Sequence, residues 1–395
     1  AHDGVAVPFA DCYITAEAQA AAIRVLQSGW VTTGREVLAF EAEFADRVGA
    51  GHAVAVSSCT AGIELALRSL GLPPGSLVLT STVTFCGAVQ AIVHAGLLPV
   101  LVDVDVETGM PTPETVRAAV RACGRPAAMT VVHWAGDPAD VPALAAAARL
   151  PLDRVVEDAA HAIGASAGAT PIGSGSAATC FSFYATKNLP LGEGGMVTAD
   201  DPDRAAWLRR SRLHGMSADA WRRYLPGGSW RYDVAEAGLK ANMTDIQAAM
   251  GRAQLGHLTA WQRRRAEIAA RYDKQLADLP GIRLPHRPDP GGGTHAWHLY
   301  PVRLQPSVGL SRDELGARLA ERGVGTSVHF IPVHQLTYFR QVALIPPGGM
   351  TGADALFEQL LSLPIYPRLT DDQVDAVCDA LADIVCRPFL RGSTE

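Results

Sequence analysis

Six short apolar runs punctuate the first half of the chain: AVAV (53–56), LVLT (77–80), PVLVDV (99–104), MTVVH (129–133), RVVED (154–158) and TCFSF (179–183). Amphipathic segments such as AGIELALRSL and DVPALAAAARL separate most of them. Short strands alternating with helices predict an α/β fold, a mainly parallel sheet covered by helices on both faces. Upstream, Thr15 can cap an alanine-rich helix that stops at Gly29, and FEAEFADRVG continues the helical pattern. A long helical region over about 243–280 then leads to the proline- and glycine-rich break LPHRPDPGGGTH (284–295). The remainder, WHLYPVRL, a helix near 311–323, VGTSVHF and a helix near 370–386, reads as a small α+β domain. With 395 residues to place, two domains are expected, 1–260 and 261–395.

Charge and cysteine usage narrow the function. A formal net charge of -6 gives no footprint for nucleic acid or an anionic membrane, and Arg263–Arg265 and Arg222–Arg223 read as solvated helix faces. No uninterrupted apolar run reaches about 18 residues, so no spanning helix is expected. AHDGVAVPFADCYIT lacks a basic region followed by an apolar stretch, which points to a cytoplasmic protein. The seven cysteines, at 12, 59, 86, 123, 180, 378 and 386, contain no CxxC pair. Neither a disulfide framework nor a metal site is expected.

Lysine is scarce: three occur, against thirty-one arginines. One of them, Lys187, sits in FSFYATKNLPLGEGG. Arginine stays protonated, whereas a buried lysine can lose its proton and condense with a carbonyl. Lys187 therefore reads as a Schiff-base lysine, with an exposed loop lysine as the plainer alternative. Two partners lie upstream. In AVAVSSCTAGIELAL a strand ends in Ser57, Ser58, Cys59 and Thr60 before a helix opens, which makes either an anion site or ordinary capping. In RVVEDAAHAIGA, Asp158 falls at the carboxyl end of a strand, where open α/β sheets bind ligands. It either faces a cationic partner or caps the next helix, and Glu157 should point to the opposite side of the sheet. Ser182 could add a hydroxyl to a phosphate, and Gly192–Gly195 allow tight turns. Imine-forming amine, acid at a strand end and phosphate cradle together describe pyridoxal phosphate.

The chain resembles the DegT/StrS family of sugar aminotransferases, which are fold-type I pyridoxal-phosphate enzymes. The matching segments are GWVTTG (29–34), AVSSCTAGIELAL (55–67), TFCGAVQAIVHAGLLPVLVDVD (84–105), EDAAHAIGA (157–165), FSFYATKNLPLGEGGMV (181–197), KANMTDIQAAMGRAQL (240–255), HLYPVRL (298–304) and LSLPIYPRLTDDQVDAV (361–377). The resemblance implies a three-layer α/β/α large domain and a small C-terminal domain. It assigns Lys187 to the Schiff base and Asp158 to the pyridine nitrogen. Phe85 would stack on one cofactor face and Ala160 would pack on the other. Ser182 and the amides of Cys59 and Thr60 match the phosphate contacts. Asn242 resembles a phosphate contact supplied by a neighbouring subunit, which implies a homodimer with shared active sites.

Three departures from the family pattern stand out. Cys59 replaces a frequent glycine, as a small filler or as a thiol activated at a helix start. His161 replaces the usual glutamine beside the cofactor's phenolic oxygen, and Lys240-Ala241-Asn242 replaces a frequent Asn-x-Arg. The implied substrates are an amino-acid donor, L-glutamate, and a nucleotide-linked 4-keto-6-deoxyhexose, giving an amino sugar for glycoside, antibiotic or other natural-product biosynthesis. A carbon-3 keto sugar, a dehydratase and a non-catalytic regulator are the alternatives. Lys187 argues against the dehydratase, which typically carries histidine there. RLHGMSADAWRRY (212–224) and SVHFIPVH (327–334) resemble acceptor-side regions, with His329 and His334 near the pyrophosphate and Thr33 and Tyr184 as further substrate contacts. Trp297 reads as core.

Overall fold

The computed structural model describes residues 6–217, 231–288 and 291–391. The strands in chain order are β1 (His52–Val56), β2 (Leu77–Ser81), β3 (Leu98–Val102), β4 (Ala128–Val132), β5 (Val155–Asp158), β6 (Ser166–Ala167), β7 (Thr170–Pro171), β8 (Ala178–Ser182), β9 (Gly195–Ala199), β10 (Ile282–Arg283), β11 (Gly293–Thr294), β12 (Tyr300–Leu304) and β13 (Leu360–Leu363). The helices used below are α1 (Ala16–Ser28), α2 (Arg35–Val48), α3 (Cys59–Arg68), α4 (Cys86–His94), α5 (Pro113–Cys123), α6 (Val141–Ala148), α7 (Pro202–Ser211), α8 (Asp245–Leu255) and α9 (Leu258–Leu276). After them come α10 (Arg312–Ala320), α11 (Phe339–Val342), α12 (Thr351–Gln359) and α13 (Asp371–Arg391).

Seven strands form the main sheet in the order β1-β9-β8-β5-β4-β2-β3. All six apolar runs of the sequence become strands of it, and β2, β3, β4, β5 and β8 are parallel. The seventh, β9, runs antiparallel between β8 and β1. It lies in GMVTA, directly after the lysine loop, and its direction leaves no trace in hydrophobic period.

Strand alternation sorts the sheet's two faces. Phe181 and Phe183 lie on one side and pack against Phe40 and Phe44 of α2, with ring centroids 5.0–5.6 Å apart in three pairs. All four rings are fully buried, and each such side chain contributes on the order of 1.5–3 kcal/mol. Cys180 and Ser182 take the opposite side. Cys180, Val156 and Val56 pack there against Cys59 and Ile63 of α3. α3 thus packs over this face beside the ends of β5 and β8, with Ile92 of α4 and Leu208 of α7 in the same core.

Local signals fix several helix ends. Thr15 Oγ1 accepts from the Ala18 amide at 3.2 Å, and Gly29 ends α1 at φ 75°. The expected helix over 243–280 is two helices, α8 and α9, separated at Gly256–His257. Thr244 and Gln247 form a reciprocal capping box that starts α8.

A second sheet, β10-β12-β13, is antiparallel throughout. Its core joins Ile268 and Tyr272 of α9, Leu315 of α10 and Leu381 of α13. The expected division at 260/261 does not coincide with how the segments pack. Val7 pairs with Val324 and belongs to the second core. In return, Val333, Phe339, Met350 and Leu356 belong to the first core, and Leu344 bonds across the outer edge of β3 through Leu101 and Pro99. Arg265, expected on a solvated helix face, is buried and donates to the carbonyls of Trp297 and Ile365 at 3.0 and 2.8 Å. It ties α9 to both segments that border the second sheet. Arg222 and Arg223 lie outside the described residues.

Candidate active site

The ends of β5 and β8 and the start of α3 converge on one cavity of about 460 Å3. Its walls include Cys59, Thr60, Phe85, Asp158, Ala160, His161, Ser182, Tyr184, Lys187 and His329. Ten of the thirteen candidate residues named from sequence therefore meet at one place. Asn242, Thr33 and His334 do not line it.

Asp158 is the last residue of β5 and is buried. Its Oδ1 accepts from the Ala160 amide at 3.0 Å and lies 3.8 Å from Cys59 Sγ. Burial pushes its pKa up, opposed by the Ala160 hydrogen bond and by the charge of Lys187. Glu157 faces the other way, as strand alternation requires, and bonds His133 Nε2 at 2.7 Å. The Ala139 amide donates to His133 Nδ1 at 3.1 Å. His133 is therefore a neutral Nε2–H tautomer donating to Glu157.

Lys187 follows β8, and its amide donates to the carbonyl of Tyr184. Burial lowers its pKa from 10.5 to about 8, with Asp158 pulling the other way. A substantial neutral-amine fraction near pH 8 follows. The Lys187 side chain is half-buried and lines the cavity, which does not match the exposed-loop alternative. Nζ has His298 Nε2 at 3.5 Å.

Ser58 caps α3, its Oγ accepting from the Ala61 amide at 3.1 Å. The amides of Cys59 and Thr60 precede that one and have no partner within the helix. Gly195 lets β9 approach closely here, since a Cβ on it would fall 2.7 Å from Cys59 N. The neighbouring turn needs glycine for its backbone, with Gly192 at φ 87° and Gly194 at φ 152°. Burial, reinforced by the Asp158 charge, pushes the Cys59 pKa well above the ordinary value, the direction that fits a filler and opposes an activated thiol. Its Sγ sits 3.5 Å from the carbonyl of Cys180.

The far wall is aromatic and imidazole-rich. Phe85, at the N-terminus of α4, has its ring 5.9 Å from that of Phe330. The His161 ring lies 4.3 Å from that of His298. Burial holds His161 well below the usual histidine range, and its Nδ1 has no hydrogen-bond partner within the protein. His329 is lowered to about 4, mainly by burial, and its Nδ1 lies 3.0 Å from Ser362 Oγ.

The remaining candidates sit elsewhere. His334 is placed with Thr82 on Nδ1 at 2.8 Å and Asp354 on Nε2 at 2.9 Å. With both ring nitrogens engaged inside the fold, it joins two segments and does not face the cavity, contrary to the sequence expectation. Asn242 donates to Thr33 Oγ1 at 2.7 Å and accepts from Lys240 Nζ at 2.6 Å. Thr33 in turn donates to the carbonyl of Met243 at 2.6 Å. Trp297 is core, as expected. Arg212, in the segment read as acceptor-side, is buried and bonds Glu41 and the carbonyl of Ala55. Residues 218–224 of that segment lie outside the described residues. Sequence reasoning missed His298, Thr84, Thr186, Glu193 and Phe330, all lining the cavity. For His298 the available signal was a histidine at the mouth of an apolar strand, in HLYPVRL.

Among the described residues no cluster of histidine, cysteine and carboxylate could hold a metal ion, and no helix is long and apolar enough to cross a membrane.

Comparison with known proteins gives a consistent outcome. SpsC, a spore coat polysaccharide biosynthesis protein of Bacillus subtilis, is 45% identical over 91% of this chain and 92% of its own length. The crystal structure of DesV from S. venezuelae superimposes with a TM-score of 0.85 at 37% identity, covering 96% of this chain and 99% of that one. Spr1654 from Streptococcus pneumoniae, in its PLP form, gives 0.85 at 28% identity, covering 96% and 98%. The profile of the DegT/DnrJ/EryC1/StrS aminotransferases matches residues 12–382, and the chain belongs to that family.

Proposed function

We propose that this chain is a pyridoxal-phosphate-dependent aminotransferase of nucleotide-linked sugars, with L-glutamate as donor and a 4-keto-6-deoxyhexose nucleotide as acceptor. It works as a homodimer whose active sites are shared between subunits. The observation that carries the reading is that a half-buried amine of lowered pKa, Lys187, and a buried strand-end carboxylate, Asp158, share one cavity with the N-terminus of α3.

The residues fit such a cofactor. Asp158 is a buried anion with no protein cation bonded to it, and it would hold a cationic ring nitrogen. Two unpartnered helix amides and the hydroxyl of Ser182 would hold a phosphate dianion. Phe85 and Ala160 supply apolar walls, and the unpartnered Nδ1 of His161 is available to a polar substituent on the ring. When bound, the cofactor supplies an aldehyde that condenses with amines and a ring that withdraws electrons.

Lys187 acts first as the amine that tethers the group. Once released, it is the acid–base group for the donor's α-hydrogen, a role suited to a pKa near 8. Asp158 keeps its negative charge against the ring, and the imidazoles of His161 and His329 stay neutral, so neither competes with it.

The test is spectroscopic and chemical. Purified protein supplied with pyridoxal phosphate should be yellow, and borohydride should bleach it and fix the label on the Lys187 peptide. Lys187→Ala should lose that label and at least ~10^3-fold in turnover. Labelling that persists in Lys187→Ala would end the assignment. A panel of 4-keto and 3-keto sugar nucleotides, with the new amine located by NMR, tests the acceptor: amination at carbon 3 overturns the carbon-4 reading.

A further inference from the structure

Behind Lys187 three side chains are joined end to end, and the sense of each hydrogen bond is dictated from the far end. Gln262 Nε2 donates to the carbonyl of Ile163 at 2.5 Å, leaving Oε1 to accept from Asn188 Nδ2 at 3.3 Å. The same Asn188 nitrogen donates to the carbonyl of Ala296 at 2.8 Å. Backbone carbonyls only accept, so both amides are locked in one orientation. Asn188 Oδ1 therefore faces His298 Nδ1, 3.1 Å away. That oxygen also only accepts, so Nδ1 carries the ring hydrogen and Nε2 is a bare lone pair. It is this Nε2 that lies 3.5 Å from Lys187 Nζ.

Burial and the charge of Lys187 hold His298 well below the usual histidine range, so the ring is neutral. Gly164 makes room for the relay: at φ +84° a Cβ there would sit 2.4 Å from Gln262 Nε2. Asn188 and His298 are both buried.

We propose that His298 is a positioning residue for the reacting lysine: the Gln262–Asn188 relay fixes its Nε2 as an acceptor, which takes one hydrogen of Lys187 Nζ and turns the rest of that nitrogen toward the cavity. This rests on the reading of Lys187 as the reacting amine. The acceptor favours the ammonium, the stronger donor, and so opposes the effect of burial. The other groups facing Nζ are the Asp158 carboxylate, which favours the ammonium, the Cys59 thiol, which burial keeps protonated, and the neutral rings of His161 and His329. Removing the acceptor should therefore lower the lysine's pKa.

Because the chain has three lysines, 13Cε-lysine labelling of the full-length protein before cofactor is added should resolve Lys187, and Lys187→Arg identifies its signal. His298→Leu should lower the titration midpoint by about one unit, giving roughly tenfold more neutral amine below the midpoint. His298→Gln, whose Oε1 reaches the position of Nε2, should stay within ~0.3 unit of the parent. In the cofactor-loaded enzyme, His298→Leu should lower kcat of the donor half-reaction about tenfold with KM unchanged, and His298→Gln should restore it. An unchanged midpoint in His298→Leu, or equal losses in both variants, overturns the proposal. Should His298→Leu fail to fold, His298→Asn, too short to reach Nζ, takes its place with the same expected loss. Failure of borohydride labelling in the parent protein would remove the cofactor reading alone, since the midpoint needs no cofactor.

Discussion

At the scale of single residues, the site rests on groups whose chemistry is set by burial. Cys59 shows this best. A thiol in the first turn of a helix ordinarily gains acidity, but here desolvation and the adjacent Asp158 carboxylate outweigh the helix terminus. Iodoacetamide at pH 8, followed by peptide mass spectrometry, should therefore label exposed Cys12 and leave Cys59 and Cys180 unmodified in the native protein. Rapid modification of Cys59 would restore the activated-thiol alternative. Placement was legible where one residue and its strand position sufficed: Lys187, singled out by scarcity, and Asp158, singled out by its strand end, both line the cavity. His298 was not legible, because its role comes from a neighbour 111 positions away in sequence. His334 misled for the same reason: its partners Thr82 and Asp354 arrive from two other segments.

At the scale of elements, the proposed cradle for an anion is a helix start held against a strand. Apolar runs of strand length exposed the parallel strands, since each is buried on both faces and needs no alternation. The same logic was blind to β9, whose antiparallel course follows a turn with Gly192 and Gly194 at positive φ. It also merged α8 and α9, because helical period continues through Gly256–His257 while the axis need not. Gly195 brings β9 close to the start of α3: a Cβ there would lie 2.6–2.8 Å from backbone atoms of Ser58 and Cys59. Backbone cannot rotate away as a side chain can, so Gly195→Ala must displace the first turn of α3. If that turn holds the cofactor's phosphate, fluorescence titration should show pyridoxal phosphate affinity at least about tenfold weaker, on the order of 1.4 kcal/mol. Unchanged affinity would locate the anion site elsewhere.

At the scale of the whole molecule, the two sheets are interlocked by exchanged segments: Val7 crosses to one core and residues 333–356 cross to the other. The cavity lies against this junction, with His298, His329 and Phe330 contributed from the later half of the chain. Asn242 and Thr33, by contrast, are bonded to each other and stand outside the cavity of their own subunit. The Asn242 backbone bridges Val56 at the end of β1, so the residue lies beside its own site without lining it, and the proposed shared dimer has its side chain serve the partner's site. The consequence can be tested by complementation. In a mixed dimer of Lys187→Ala and Asn242→Ala chains, one site combines an intact Lys187 with an intact Asn242, and the other carries both defects. Each parental homodimer should be impaired, Lys187→Ala by at least ~10^3-fold and Asn242→Ala by about tenfold or more. Subunit exchange between them should restore up to half of the activity of the unmutated dimer per mixed dimer. If each site were built from one chain, every site in the mixture would keep exactly one defect, and activity would only average that of the two parents. Sedimentation at several concentrations would establish that exchange occurs between dimers, and an average-only outcome would then exclude a shared site.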